Sequence, residues 1–112
     1  MAGPGMGELL KQAKKMQEKL QQVQEELAAK RVEASAGGGM VTAVVNGKHE
    51  LLEIQIDKQA IDPEDVEMLE DLVVAAVNQA MMKSHELASV EMGKIAGGFL
   101  PNLPGGLKIP GL

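Results

Sequence analysis

From Met6 to Lys30 the apolar residues fall at Met6, Leu9, Ala13, Met16, Leu20, Val23 and Leu27, alternating steps of three and four without a slip. That spacing lines one narrow stripe of an α-helix, and a stripe this narrow is suited to docking against another helix. A helix of this length runs roughly 37 Å, more than a compact domain of this size needs across its own core. The stripe therefore demands a cover, and that demand constrains how the rest of the chain can fold.

The material for a core is modest. Among 112 residues Phe99 is the only aromatic, so Leu, Val, Ile, Ala and eight Met fill whatever is buried, and such side chains each bury less area than an aromatic ring. A single domain built this way is marginal alone, which favours apolar surface shared between subunits, most economically a homo-oligomer. The absence of Cys excludes disulfides and thiolate metal sites. No signal-peptide pattern and no apolar run of about 18 residues is present, so the expectation is a cytoplasmic protein with no membrane partner. The formal charge of -5 runs against a dedicated polyanion binder, so any nucleic-acid role must rest on a local basic face.

The seam helix carries such a face. Lys11, Lys14, Lys15 and Lys19 lie opposite the apolar stripe, within roughly a 140° arc at 100° per residue. Against Glu8 and Glu18 they leave a local surplus of two positive charges. An ordinary solvated face with Glu-to-Lys pairs is the alternative reading. Met1 to Gly7 is rich in Gly and Pro and is expected to be a mobile arm, with the helix beginning near Glu8.

Beyond the helix the period changes to two. Val32, Ala34 and Ala36 alternate with Arg31, Glu33 and Ser35, and Gly37 to Gly39 form a turn. Those glycines lead into a strand and lack a subsequent Lys-Ser or Lys-Thr, unlike a phosphate loop. Two further strands come next, with Val41, Ala43 and Val45 on one face of the first and Leu52, Ile54 and Ile56 on one face of the second. Asn46-Gly47 between them is a hairpin signal. A strict two-residue loop would oppose apolar and charged residues, whereas a six-residue loop sets Val45, Ala43 and Val41 against Leu52, Ile54 and Ile56, the register a buried face prefers.

Asp62-Pro63-Glu64-Asp65 reads as a helix start capped by Asp62. Val66, Leu69, Leu72, Val73, Ala76, Val77 and Ala80 then give a face broad enough to cover a sheet, and the helix is expected to reach about Ala96. The acids around its start suit the helix dipole and repel a polyanion rather than converge on a cation. Gly97 to Leu112, with five Gly and three Pro, is expected to lack regular structure and to be either a mobile tail or a partner-binding segment. The domain is thus residues 8–96 between an arm (1–7) and a tail (97–112). His49 and His85 read as exposed bystanders, and no nucleophile, acid-base pair, metal set or cofactor motif is discernible, so neither an enzyme nor a small-molecule substrate is expected.

The ordered set of Leu10-Lys11-Gln12-Ala13, Met16-Gln17, Glu25-Glu26-Leu27, Gly38-Gly39-Met40-Val41, Val45-Asn46-Gly47, Ile56-Asp57, Glu67 to Val73 and Ala76 to Ala80 resembles the YbaB/EbfC family of bacterial nucleoid-associated proteins. The resemblance implies an α+β, α-β-β-β-α subunit: a three-stranded antiparallel sheet flanked by two long helices, in an intertwined homodimer. It implies binding of duplex DNA with little sequence preference, a nucleoid location, and roles in nucleoid organisation, gene expression and DNA repair. Lys11, Lys14, Lys15, Lys19 and Lys83 fall in the matching DNA-contact regions. Leu9, Ala13, Met16, Leu20, Val23 and Leu27, with the strand residues Val41, Ala43, Val45, Leu52, Ile54 and Ile56, are the expected core and dimer contacts. A prefoldin-like holdase or scaffolding module is the alternative, since two long helices there also flank β-hairpins and present apolar tips.

Overall fold

A computed structural model describes residues 5–99. The order is α1 (Gly5–Ala29), β1 (Arg31–Ala36), β2 (Val41–Asn46), β3 (Leu51–Ile56), a short 3₁₀ turn (Lys58–Ala60) and α2 (Val66–Phe99). The strands form one antiparallel sheet in the order β1-β2-β3, so the α-β-β-β-α reading holds.

α1 starts at Gly5, three residues before the expected Glu8. Gly5 and Gly7 fall in the first turn, where amides have no intrahelical partner to lose, so breakers cost least there. At the other end α2 continues through Gly97 to Phe99, which corrects the expectation that structure stops at Ala96. Glycines in a last turn are tolerated for a similar reason. The arm residues 1–4 and the tail residues 100–112 lie outside the described residues.

The start of α2 is also corrected. Asp62 does not cap the helix: its carbonyl accepts from the Asp65 amide (2.9 Å) and its side chain from the Glu64 amide (2.9 Å). This is a β-turn with Pro63 in its second position, where proline's fixed φ fits. Asp65 is the cap, accepting from the Met68 amide at 3.2 Å, three residues on as an N-cap requires.

The first half of α2 packs on β1 and β2. Small residues let it lie close: Ala34, Ala36, Ala43, Ala76 and Ala80 join Val41 and Val45 in the main core, with Leu69, Leu72, Val73 and Val77 around them. Gly37, Gly38 and Gly39 all take positive φ, which explains three glycines between β1 and β2. A Cβ on Gly37 would also stand 2.7 Å from Leu72.

The β2–β3 register matches the expectation at two positions and departs at the third. Val41 pairs with Ile56 and Ala43 with Ile54, but Val45 pairs with Leu51 through an irregularity at Val44/Val45. The link is tighter than six residues because Asn46 organises it, its Oδ1 accepting from the Lys48 and Glu50 amides (3.0 Å each). Leu52 is absorbed as the extra residue of a bulge. Since α2 lies over β1 and β2, the apolar side of β3 has little helix above it, and Leu51, Leu52 and Ile56 are 47%, 45% and 40% exposed.

The second half of α2 leaves the sheet and runs antiparallel to the C-terminal half of α1. Leu20, Val23 and Leu27 form a second cluster with Leu87, Ala88, Met92 and Ile95, so one half of the heptad stripe finds its cover within the same chain. Lys30, just past α1, closes this hairpin with an ion pair to Glu91 (3.2 Å). Among the expected contact residues Val23, Leu27, Val41, Ala43 and Val45 are buried, Met16, Leu20 and Ile54 are half-buried, and Leu9, Ala13, Leu52 and Ile56 are exposed in the single subunit.

Candidate nucleic-acid interface

Lys11, Lys14, Lys15 and Lys19 are all exposed on the outer side of α1. The stripe spans roughly 12 Å along the helix axis. Within the described residues, the ion pairs use Lys30, Arg31 and Lys94 instead, and none of the four stripe ammonium groups is engaged by another side chain. Four unpaired cations on one rigid face, with Glu8 and Glu18 interspersed, form a weakly positive, hydrated surface. Such a surface can meet a row of phosphates without reading bases, because lysine is a compact point charge with no planar fork.

Lys83 does not join this stripe. It is exposed, but its ammonium donates to the Glu33 carbonyl at 2.8 Å, tying α2 to the β1 edge. The structure thus brings together the four α1 lysines and leaves Lys83 on the sheet.

The lysine-bearing helix is held in place by a junction between the end of α1, the hairpin loop and α2. Asn46 is buried, and its Nδ2 donates to the Ala28 carbonyl (3.2 Å) and to Glu50 Oε1 (2.8 Å). The Gly47 amide donates to the Leu27 carbonyl at 2.8 Å. These two donors satisfy carbonyls that the last turn of a helix leaves free. A Cβ on Gly47 would lie 2.7 Å from the Leu27 side chain and 2.8 Å from its carbonyl oxygen. The glycine is therefore required by the approach to α1, and the left-handed residue of the loop is His49 (φ 66°).

The histidines are exposed, as expected, but they are not bystanders. His49 and His85 stack with ring centroids 3.9 Å apart, and His49 Nδ1 lies 2.6 Å from Ser84 Oγ. Ser84 is fully buried and donates to the Asn46 carbonyl at 2.7 Å. With its only proton spent there, the serine accepts from His49, so the pair acts as a pin between loop and helix, not as a nucleophile with its base. Sequence reasoning passed over Ser84. Its spacing was the available signal, since Ala76, Ala80 and Ser84 succeed one another at four-residue steps and all three are wholly buried.

Glu91 is the titratable group most clearly tuned. The hydrogen bond from Lys30 holds its carboxyl below the usual carboxylate range, opposed by desolvation and assisted by Lys94. Among the described residues no cluster of three or more His, Cys, Asp or Glu is arranged to hold a metal ion, and no helix is long and apolar enough to cross a membrane.

Comparison with known proteins places this geometry. A family model described as the YbaB/EbfC DNA-binding family matches residues 1–99. A nucleoid-associated protein of Syntrophobacter fumaroxidans is 61% identical over 103 residues, covering 92% of this chain and 91% of that one. One from Pelotomaculum thermopropionicum is 47% identical over 112 residues, covering 100% of this chain and 99% of its own. The crystal structure of an uncharacterized protein from Helicobacter pylori superposes with a TM-score of 0.71 at 27% identity, covering 87% of this chain and 99% of that one.

Proposed function

The chain belongs to the YbaB/EbfC DNA-binding family, and on that premise we propose that it is a cytoplasmic, nucleoid-associated homodimer that binds duplex DNA with little sequence preference. The observation that carries this reading is the unpaired lysine stripe of Lys11, Lys14, Lys15 and Lys19 on the outer face of α1. Contacts of this kind displace counterions from phosphates and supply affinity without base readout. In a chain with a formal charge of -5 the affinity is modest and strongly salt-dependent. Lys83, held by the Glu33 carbonyl, contributes less than the other four. Nucleoid organisation, with consequences for gene expression and DNA repair, is the cellular role that suits such binding.

The homodimer rests on the open side of β3. Leu51 and Leu52 at one end of this edge strand and Ile56 at the other are apolar and 40–47% exposed, the condition under which a second copy adds the missing layer. A holdase reading draws on the exposed Met6, Leu9 and Leu10 near the start of α1. It ranks second, because half of α2 is spent on covering a sheet.

Duplex DNA titration at two or more salt concentrations tests the proposal, with the solution mass of the free protein measured alongside. The wild type is expected at twice the subunit mass, with log K falling against log salt by about 0.9 per phosphate contacted. Replacing Lys11, Lys14, Lys15 and Lys19 together by Ala is expected to flatten that slope by about 3 to 4 for each engaged helix. An unchanged affinity and slope would sink the lysine assignment. Suppression of client aggregation without DNA binding would favour the holdase.

A further inference from the structure

Asn46-Gly47 is the kind of dipeptide in which an asparagine is chemically least secure. The backbone nitrogen that follows an asparagine can attack its side-chain carbon, and a glycine there has no Cβ to obstruct ring closure. The parts of that reaction stand together in the hairpin loop. Gly47 supplies the nitrogen and Asn46 Cγ is the carbon attacked, while Asn46 Oδ1 already accepts from the Lys48 and Glu50 amides (3.0 Å each). Two amides on that oxygen stabilise the negative charge it gains as the carbon becomes tetrahedral.

What holds the reaction back comes from α1. The Gly47 amide donates to the Leu27 carbonyl at 2.8 Å, so the nitrogen keeps its proton and is committed to the helix end. Asn46 Nδ2, on the group that must leave, donates to the Ala28 carbonyl at 3.2 Å, which fixes the side chain. At 3% exposure Asn46 is also shielded from water. Both carbonyls belong to the last turn of α1, which is packed against α2 through Val23, Leu27 and Ile95. We propose that Asn46 is a deamidation site gated by α1: the docked helix end suppresses the reaction, and undocking admits it. The Gly47 nitrogen loses its proton and bonds to Asn46 Cγ, the Cγ–Nδ2 bond breaks, and ammonia leaves with that proton. Water then opens the cyclic imide at either carbonyl, giving aspartate, or isoaspartate with an added main-chain methylene. Either product opposes renewed docking. In aspartate a carboxylate oxygen replaces the donor that faced the Ala28 carbonyl and the Glu50 carboxylate, so acceptor meets acceptor in a buried place. In isoaspartate the longer main chain shifts the Gly47 amide away from Leu27. The loop therefore records departures of α1 irreversibly.

Peptide mapping of the full-length chain, held at neutral pH and sampled over time, follows the mass gained when the Asn46 amide becomes an acid. In the native protein this is expected to run at least about a hundredfold slower than in urea, because modification follows the population of the open form. Leu27→Ala, which loosens the helix end, is expected to speed the native reaction about tenfold or more. Leu72→Ala, in the part of α2 that lies on the sheet, is expected to change it by less than about twofold. If Leu27→Ala does not fold, Val23→Ala replaces it. Equal rates in native protein and in urea, or equal acceleration by the helix-end and sheet variants, would overturn the proposal. Asn46→Asp supplies one product directly, and amides in the last turn of α1 are then expected to exchange about tenfold faster. Unchanged exchange there would also overturn it. None of these measurements involves DNA, so their failure is separate from that of the lysine assignment.

Discussion

The two halves of α1 share one heptad stripe and the same residue types, yet they meet opposite fates. From Leu20 to Ala29 the stripe is packed on α2, and the helix end is capped by Asn46 and Gly47. From Gly5 to about Met16 the same pattern stands in the open. Periodicity states which face of a helix wants burial. It does not state what will bury it, because the cover comes from elements far away in sequence. The anchored half fixes the direction of the helix, and the projecting half carries Lys11, Lys14 and Lys15 away from the acidic start of α2.

Substitutions along the stripe test this contrast most severely. Leu27 is only 2% exposed, so Leu27→Ala is expected to lower the unfolding free energy by roughly 2–5 kcal/mol. Leu9→Ala, at 64% exposure, is expected to stay within about 0.5 kcal/mol in the same urea titration. Equal losses at the two positions would mean that both halves are packed alike. A smaller effect is expected from Gly47→Ala, which pushes a methyl group into the Leu27 side chain and carbonyl and should cost about 1–3 kcal/mol. Thermal unfolding measures it, and faster amide exchange in the last turn of α1 would locate the damage there.

The smallest effect is electrostatic. The Lys30 hydrogen bond lowers the folded-state pKa of Glu91, so the pair adds stability above the ordinary glutamate value and loses it as pH falls through the lowered one. Glu91→Gln is therefore expected to be less stable than wild type at neutral pH, and the two should converge in acid. Both side chains are partly open to solvent, so added salt should narrow the gap. A difference that persists in acid would assign Glu91 a packing role instead.

Much of the fold was legible because its signals are local. The heptad spacing marked α1, the alternation of Val32, Ala34 and Ala36 marked β1, and Asn46-Gly47 marked the hairpin. Where local signals misled, a competing local bond had won. Asp62 spends its acceptors on a turn, which passes the helix cap to Asp65, and Asn46 pulls the loop tight enough to shift Leu52 into a bulge. The candidate site was legible in part. Helical geometry alone groups Lys11, Lys14, Lys15 and Lys19, but the bond from Lys83 to Glu33 joins residues fifty positions apart.

By itself the sequence determined the elements, their order, the antiparallel sheet and the side of α1 on which the lysines lie, since each is set by spacing within one segment. Only the tertiary structure decided which half of the seam is covered, that α2 lies over β1 and β2 and leaves β3 open, and that Gly47, His49 and Ser84 join the loop to both helices. Those outcomes depend on close approach between segments tens of residues apart, at a few ångströms, and no periodicity within one segment encodes that distance.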